Sequence, residues 1–279
     1  MKYLLHNKIN DFQIDRLLRD AHFQMSEAHY HPYYELYYLL SGQCRMFINH
    51  TIYYVFPGDF ILLPPKMLHK TLYETHRPAE RFTVCFTPEY VKEYRQDCGS
   101  AAWEHIFSRT KLTVPSTRQE EFLSLLSRIQ KESACADPYS SIQKKVYLYE
   151  LFTLLGRCQN LKQEPQMLDH AEAAIQTAAR YIYEHYQDNL TLENAAEAAH
   201  MSPTYFSRKF KESTGFGFKE YLNHIRLEEA AHLLSTTNAS VTEIAGICGF
   251  SDGNYFGDAF KKVFHVSPLQ YRKSGRQET

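Results

Sequence analysis

The chain has 279 residues, of which 44% are hydrophobic and 23% are charged, a composition typical of a globular protein. Its formal net charge is −1, so the chain as a whole lacks the excess of basic residues that is common in nucleic-acid-binding proteins. The opening residues lack the apolar run of a signal peptide, and no segment approaches the roughly 20 apolar residues of a membrane span. The six cysteines are scattered without a C-x-x-C pair, so we expect reduced thiols in a cytoplasmic protein without a membrane partner.

The N-terminal part of the sequence has the pattern of short β-strands. Runs rich in tyrosine, leucine and isoleucine alternate with turn residues such as Ser41-Gly42, Asn49-His50 and Pro57-Gly58. The candidate strands are residues 34–40, 45–48, 51–56, 60–63 and 81–86. Short strands separated by turns at this spacing predict a barrel or a sandwich.

Histidines and a glutamate lie on and around these candidate strands. The sequence resembles the two motifs of cupin barrels, with the strings His29-x-His31-x-x-x-Glu35-x(6)-Gly42 and Gly58-x(5)-Pro64, followed by His69. In metal-bearing cupins, the four matching His and Glu residues form a three-histidine, one-carboxylate site. Imidazoles two residues apart on a strand share a face, which suits a metal. Lys66 and Tyr73 stand where the second motif usually has glycine and asparagine.

Three roles are open for these residues on the motif alone. In a metal-dependent cupin enzyme, such as an oxygenase, they would be metal ligands. In a sensor domain they would bind a small-molecule effector. As ordinary strand histidines they would have satisfied hydrogen bonds and no ligand at all.

The pattern becomes helical from Ser116. Apolar residues recur at i, i+3, i+4 and i+7 (Phe122, Leu125, Leu126 and Ile129), and a second, less regular helix follows around residues 146–155. These apolar stripes are larger than a small barrel needs. They predict either a symmetric dimer interface or packing of the helices onto their own barrel.

The C-terminal part, from Ala171, is helical and contains an internal repeat. Identical residues recur fifty positions apart, at Glu193/Glu243, Ala195/Ala245, Tyr205-Phe206/Tyr255-Phe256, Phe210-Lys211/Phe260-Lys261 and Tyr221/Tyr271. A repeat of this size predicts one supersecondary unit used twice.

Each copy of the repeat predicts a helix, a short turn and a second helix, which is the unit that reads DNA. Ser202 with Pro203, and Ser251 with Asp252, mark the starts of the second helices, while Ser240 and Glu243 form a capping box. Burial of the paired phenylalanines leaves a polar outer face that suits base edges and phosphates. The predicted DNA-binding residues are Ser202, Thr204, Ser207, Arg208, Lys211, Ser251, Asn254, Asp258, Lys261 and Lys262. A merely solvated face of an all-α domain is the alternative.

From about Ile175 to Arg272 the sequence resembles the arabinose-regulator (AraC) family of bacterial transcription regulators. Its signature is similar to the string Ile244-Ala245-x-x-x-Gly249-Phe250-Ser251-x-x-x-Tyr255-Phe256-x-x-x-Phe260-Lys261-Lys262, with Ser267-Pro268-x-x-Tyr271-Arg272 after it. The first unit is matched by Met201-Ser202-Pro203-x-Tyr205-Phe206-Ser207-Arg208-x-Phe210-Lys211. The resemblance implies two helix-turn-helix units, joined by a long helix over about residues 218–234, that enter successive major-groove segments.

Two departures from the family pattern fall in the second unit. Gly257-Asp258 stands where members commonly carry Ser-Arg, and His265 stands where they carry glycine. Histidine tolerates a left-handed helix end at modest cost. A carboxylate loses the attraction to phosphate and only accepts hydrogen bonds, for example from cytosine N4. We therefore expect the second unit to contribute less DNA affinity than the first.

The resemblance also implies that the N-terminal cupin-like domain is an effector pocket, typically for a sugar. The predicted effector-binding residues are His29, His31, Glu35, Tyr37, Tyr53 and His69. We predict no catalytic residue, no cofactor and no bound metal, with a metal-dependent cupin enzyme (oxygenase or isomerase-like) fused to a DNA-binding module as the alternative.

The sequence thus predicts an α+β multidomain protein. Residues 1–112 are expected to form a cupin-like β-barrel (jelly roll), residues 113–165 a helical connector or dimerisation region, and residues 171–279 an all-α domain with tandem helix-turn-helix units. The expected partners are double-stranded promoter DNA, a small-molecule effector such as a sugar, RNA polymerase and a second copy of the chain.

Overall fold

The computed structural model describes residues 9–20, 29–73, 78–163 and 167–275. The chain forms two compact units, one mainly of residues before Leu168 and one mainly of residues from Leu168 onward. Within these ranges, the first unit contains the strands and four α-helices, and the second is mainly helical. None of the helices in these ranges combines the length and apolar character that a bilayer crossing requires.

Two antiparallel sheets form the centre of the first unit. Their strands are β1 (Phe12–Arg19), β2 (Tyr34–Ser41), β3 (Cys44–Ile48), β4 (Thr51–Val55), β5 (Asp59–Leu63), β6 (His69–Leu72), β7 (Ala79–Phe86) and β8 (Lys111–Thr113). The larger sheet has the order β1-β7-β2-β5-β8 and the smaller one β4-β3-β6. Among the described residues, strand pairing leaves the two sheets separate and does not close them into one barrel. All five candidate strands are confirmed, while β1, β6 and β8 were not predicted.

Alternate residues of the larger sheet belong to two different cores. On β2, Leu36 and Tyr38 pack in a cluster with helical residues, whereas Tyr37 and Leu39 pack with residues of the smaller sheet such as Met46. Because side chains alternate along a strand, this assignment fixes which residues point into the space between the sheets. The sequence alone left that direction open.

Four helices cover the outer face of the larger sheet. They are α1 (Lys92–Cys98), α2 (Ser100–Ile106), α3 (Gln119–Ser133) and α4 (Ser140–Gln159). The α3 stripe predicted from the sequence is completely buried, in one cluster with Phe60, Phe82 and Phe86 of the sheet. The sequence left open whether this stripe forms a dimer interface or packs within its own chain, and in the structure it packs onto the chain's own sheet.

Seven helices form the second unit in its described range. They are α5 (His170–Glu184), α6 (Leu192–Ala198), α7 (Pro203–Thr214), α8 (Phe218–Thr236), α9 (Val241–Ile247), α10 (Gly253–Phe264) and α11 (Pro268–Gly275). The pairs α6–α7 and α9–α10 are the two predicted helix-turn-helix units, and α8 is the predicted long helix between them. The cores of the repeats are the buried pairs Phe206/Phe210 and Phe256/Phe260.

Local capping fixes where the helices of the second repeat begin and end. Ser240 and Glu243 form the predicted capping box, with Ser240 N donating to Glu243 Oε2 at 2.7 Å and Glu243 N to Ser240 Oγ at 3.1 Å. Asp252 caps α10 by accepting from the backbone N–H of Asn254 at 2.8 Å. His265 ends α10 in the left-handed region with φ 63°, as its place in the family pattern predicts.

Gly249, in the turn between α9 and α10, gives a test of this packing. Its φ of +81° is left-handed, and a Cβ there would lie 2.7 Å from Gln187 O and 2.9 Å from Tyr186 O. We predict that Gly249→Ala lowers the free energy of unfolding by at least about 2 kcal/mol, since strain adds to a backbone clash. The matched control is Gly257→Ala within α10, where a Cβ meets nothing within 4 Å. It should raise stability by about 0.5–1 kcal/mol. Equal thermal unfolding of the two variants would contradict the described turn.

Candidate nucleic-acid interface and candidate ligand site

Helix α7 has a polar face opposite its two buried phenylalanines. The rings of Phe206 and Phe210 are fully buried, with centroids 5.1 Å apart. Since these residues lie one turn apart, their burial fixes the rotation of the helix about its axis. The predicted DNA-binding residues of this helix and its cap are all exposed, namely Ser202, Thr204, Ser207, Arg208 and Lys211.

Arg208 is an exposed cation on this face. Its side chain is 69% exposed, with Nε 3.9 Å from Glu212 Oε1 and the guanidinium carbon 5.5 Å from the centre of the Tyr205 ring. An exposed ion pair at this distance is weak. The guanidinium is therefore available to two acceptors at once, such as O6 and N7 of guanine.

Helix α10 repeats this arrangement with a different charge. Phe256 and Phe260 are buried with centroids 5.6 Å apart. The predicted contact residues on the other side are exposed, namely Ser251, Asn254, Asp258, Lys261 and Lys262. Asp252 caps the N-terminus of α10 and Asp258 lies in the N-terminal half of that helix, while Lys261 and Lys262 lie in its last turn. The face that corresponds to Arg208 thus carries a carboxylate.

A hydrogen bond attaches helix α10 to the long helix α8. Asn223 Nδ2 donates to Tyr255 Oη at 2.7 Å. Arg226, also on α8, donates from Nε to Tyr186 O at 2.7 Å. Contacts of this kind orient α10 relative to the rest of its unit, so the two polar faces belong to one compact body.

Three histidines meet a carboxylate between the two sheets of the first unit. His29 and His69 exchange backbone hydrogen bonds, with His29 N donating to His69 O at 3.0 Å and His69 N to His29 O at 2.9 Å. His31 Nδ1 donates to Tyr33 O at 2.8 Å and His69 Nδ1 to Met67 O at 2.9 Å. Because a carbonyl can only accept, both Nδ1 atoms are protonated and both Nε2 atoms turn towards Glu35.

Glu35 is the charged centre of this cluster. Its Oε2 lies 3.0 Å from His31 Nε2 and 3.9 Å from His69 Nε2. Burial opposes ionisation, but the His31 hydrogen bond and the nearby His69, His31 and Arg81 charges hold the pKa of Glu35 far below its usual range. Burial also lowers the pKa of His69, although the Glu35 charge acts in the opposite direction. The cluster therefore contains an ionised carboxylate among imidazoles.

The chemistry of this donor set fits a divalent transition metal. One ligand nitrogen from each of His29, His31 and His69 lies within 4.8 Å of the other two, and all three residues are buried. Imidazole nitrogens bind such ions, and Nδ1 protons donated to carbonyls are the usual outer support of metal-binding histidines. The same donors also suit hydroxyl groups of an organic ligand, so the cluster by itself does not distinguish the two.

The predicted tyrosines lie in the same space between the sheets. Tyr37 Oη is 3.0 Å from Tyr73 Oη and 3.3 Å from Cys44 Sγ. Tyr53 is partly buried against this cluster. Burial raises the pKa of Cys44 to about 12, so its sulfur remains a thiol. All six predicted effector-binding residues are therefore in the first unit, with His29, His31, Glu35 and His69 in direct proximity.

Arg81 and Thr83 also point into this space, and the sequence analysis did not select them. Both lie on β7, where Arg81 pairs with Leu39 and Thr83 with Tyr37. The signal was the alternation of Arg81, Thr83 and Cys85 with Phe82, Val84 and Phe86. The alternation shows only that the two sets face opposite sides of the sheet. Phe82 packs in the cluster with the helices, so Arg81 and Thr83 face the space between the sheets.

Two family models match this chain. One, described as a helix-turn-helix domain, matches residues 195–274, and the other, described as an AraC-like ligand binding domain, matches residues 13–152. Together they cover both candidate sites.

Curated relatives include several transcription regulators. The chain is 40% identical to the uncharacterized HTH-type transcriptional regulator YijO of Escherichia coli (strain K12) over 122 residues, which are 43% of each protein. It is 26% identical to the uncharacterized HTH-type transcriptional regulator YisR of Bacillus subtilis (strain 168) over 252 residues, 86% of this chain and 85% of YisR. It is 29% identical to the HTH-type transcriptional activator RhaS of Escherichia coli (strain K12 / DH10B) over 154 residues, 55% of this chain and 54% of RhaS. The chain thus spans about half the length of YijO and RhaS, and most of YisR.

Glu35 gives a direct test of the cluster geometry. Glu35→Gln keeps the shape of the side chain but removes the charge that faces His31 and His69. We predict a loss of about 2–3 kcal/mol in the free energy of unfolding at pH 7, because one partner of a largely buried pair is removed. The control is Glu93→Gln, which breaks an exposed pair with Lys145 and should leave the thermal midpoint unchanged. Equal effects of the two substitutions would show that Glu35 is not paired as described.

Proposed function

The chain belongs to the AraC family of helix-turn-helix transcription regulators, and from this we infer that it binds double-stranded promoter DNA in the cytoplasm and regulates transcription in response to a small molecule. Its curated relatives are transcription regulators, not enzymes. A fused cupin enzyme is therefore not the function of this chain.

One observation carries the proposal for DNA binding. The exposed polar faces of α7 and α10 both lie opposite a buried phenylalanine pair, in one compact unit and joined by α8. Two reading helices in one body suit successive major-groove segments on one side of a duplex. On α7, Arg208 would contact a guanine, and Lys211 a phosphate.

The two units would contribute unequally. Arg208 on α7 corresponds to Asp258 on α10, and a carboxylate is repelled by the phosphate backbone. Asp258 would accept a hydrogen bond from cytosine N4, which adds selectivity more than affinity. The lysines in the last turn of α10 would supply phosphate contacts for the second unit.

The first unit would bind the effector between its two sheets. We infer that these sheets form a cupin-like jelly roll, because antiparallel sheets of five and three strands share a cluster of inward residues. Glu35 and His31 would hydrogen-bond hydroxyl groups of a ligand such as a sugar. Tyr37 and Tyr53 would pack against its apolar face.

Regulation would couple the two functions through the intervening helices. In this scheme residues 1–112 bind the effector, residues 113–165 connect and dimerise, and residues 171–279 bind DNA and present the chain to RNA polymerase. An effector changes DNA occupancy only if it binds two arrangements of the protein with different affinity. That differential affinity is the driving free energy of the switch.

Dimerisation would use the outer side of α4 and the residue before it. The α3 stripe is already buried against the sheet, whereas Tyr139, Ile142 and Val146 are 76%, 62% and 50% exposed. Large apolar side chains one or two turns apart on a helix form a continuous apolar strip. Facing strips from two copies would make a symmetric interface.

Arg208 is the sharpest test of DNA binding. We predict that Arg208→Ala lowers the affinity of the purified full chain for its preferred duplex, selected from random DNA, by at least about tenfold. Asp258→Ala should leave the affinity unchanged or increase it, because it removes a negative charge from the same face. Fluorescence anisotropy at fixed salt measures both.

The control for this experiment is Arg180→Ala, which removes an exposed arginine of α5 in the same unit. Its affinity should equal that of the unmodified chain. An equal loss in Arg208→Ala and Asp258→Ala would remove the proposed asymmetry. A chain that binds no duplex even at low salt would remove the proposed function.

The dimer proposal has a separate test. Ile142→Asp combined with Val146→Asp places two carboxylates on the apolar strip of α4, and we predict conversion of the dimer to monomer in sedimentation velocity at micromolar concentration. Leu18→Asp, which replaces an exposed apolar side chain of β1 by a carboxylate, should leave the dimer intact. A monomeric unmodified chain would contradict this part of the proposal.

A further inference from the structure

Strand β7 directs a cation and a hydroxyl group into the space between the sheets. Arg81 and Thr83 alternate with Phe82 and Val84, which pack in the cluster on the helical side. The guanidinium carbon of Arg81 lies 5.2 Å from the centre of the Tyr37 ring, and Tyr37 belongs to the inter-sheet cluster. Arg81 and Thr83 therefore share a face with Glu35 and Tyr37 of β2.

Three buried polar atoms of these two residues have no hydrogen-bond partner among the described residues. They are Nε and Nη1 of Arg81 and Oγ1 of Thr83. The guanidinium does interact with Tyr73, through a side-chain hydrogen bond. Buried donors are otherwise almost always paired, so a buried cation with two unpaired nitrogens indicates a binding partner outside the protein.

The Glu35 charge is near enough to raise the pKa of Arg81, but no ion pair among the described residues joins Arg81 to a carboxylate. Glu35 Oε2 lies in contact with His31, and the ion pairs described for Glu35 join it to His31 and His69. Asp15 lies across from Thr83 on β1, but Asp15 Oδ2 accepts a hydrogen bond from Gln13 Nε2 at 2.6 Å. Arg81 therefore has no ion pair with a carboxylate among the described residues, and its Nε and Nη1 atoms are not exposed to solvent.

We propose that Arg81 and Thr83 form an anion subsite, and that the effector of this regulator carries a carboxylate or phosphate group. This inference rests on the proposed effector function and specifies its chemistry. A guanidinium offers several N–H donors in one plane, and charge-assisted bonds to an oxyanion are its strongest hydrogen bonds. A neutral hydroxyl would satisfy one donor and would bring no negative charge to the guanidinium.

The two ends of the inter-sheet space then differ in what they bind. Arg81 and Thr83 bind the acid group, while the carboxylate of Glu35 rejects a second anion and accepts hydrogen bonds from hydroxyls. A hydroxylated organic acid, such as a sugar acid or a sugar phosphate, matches both ends. A neutral sugar matches only the Glu35 end and binds more weakly.

The test compares anions with neutral partners in the full chain. Thermal unfolding is followed with acetate, inorganic phosphate, D-glucuronate and D-glucose, against sodium chloride of equal ionic strength. We expect at least one of the three anions to raise the Tm of the unmodified chain by about 2 °C or more, and D-glucose to raise it less. In Arg81→Met the rise should be lost. Glucuronate against phosphate distinguishes a carboxylate from a phosphate effector.

The control is Lys92→Met, which removes an exposed cation of α1 and should respond to anions as the unmodified chain does. If Arg81→Met does not accumulate as folded protein, Arg81→Gln takes its place in the same comparison. The subsite is overturned if no anion stabilises the unmodified chain, or if the Arg81 variant responds equally. DNA binding is measured in parallel to distinguish failure of the anion subsite from failure of the proposed regulator function. If the chain binds DNA but shows no Arg81-dependent response to anions, the anion subsite is wrong and the regulator function stands.

Discussion

Burial of two phenylalanine pairs is the constraint on which the proposed DNA-binding surface depends. Phe206 with Phe210, and Phe256 with Phe260, are completely buried one turn apart on their helices. Each buried phenylalanine contributes roughly 2–3 kcal/mol relative to an exposed one, so rotation of either helix about its axis is strongly opposed. The outward direction of the polar side chains therefore follows from the apolar side chains behind them.

In the first unit, too, buried apolar side chains determine where the polar side chains point. Here the elements are strands, in which side chains alternate with a period of two residues instead of the 3.6 of a helix. Phe82 and its alternates hold β7 against the helices, and this sends Arg81 and Thr83 to the other side. The core thus positions a cation, an ionised carboxylate and three imidazoles between two sheets. Interiors of this kind cost stability unless a ligand completes their hydrogen bonds, which is a common property of binding sites.

Most of the second unit, and part of the first, could be predicted from the sequence. Capping residues such as Ser240 and Asp252 mark the starts of helices through local sequence alone. The fifty-residue repeat shows the same motif twice, so each copy supports the interpretation of the other. Strand β1 was missed because its segment has no regular alternation, and β6 because it has only four residues. The inward direction of Arg81 was missed for another reason. Alternation separates two faces, but only tertiary contacts show which face is covered by helices.

The central claim, that the two polar faces read DNA together, is tested most directly by hydroxyl-radical footprinting of the full chain on a selected high-affinity duplex. The account predicts two protected segments about one helical turn, or 10 base pairs, apart on one face of the DNA. Stronger protection is expected at the segment whose signal depends on Arg208. A single protected segment, or two segments on opposite faces of the duplex, would contradict the account.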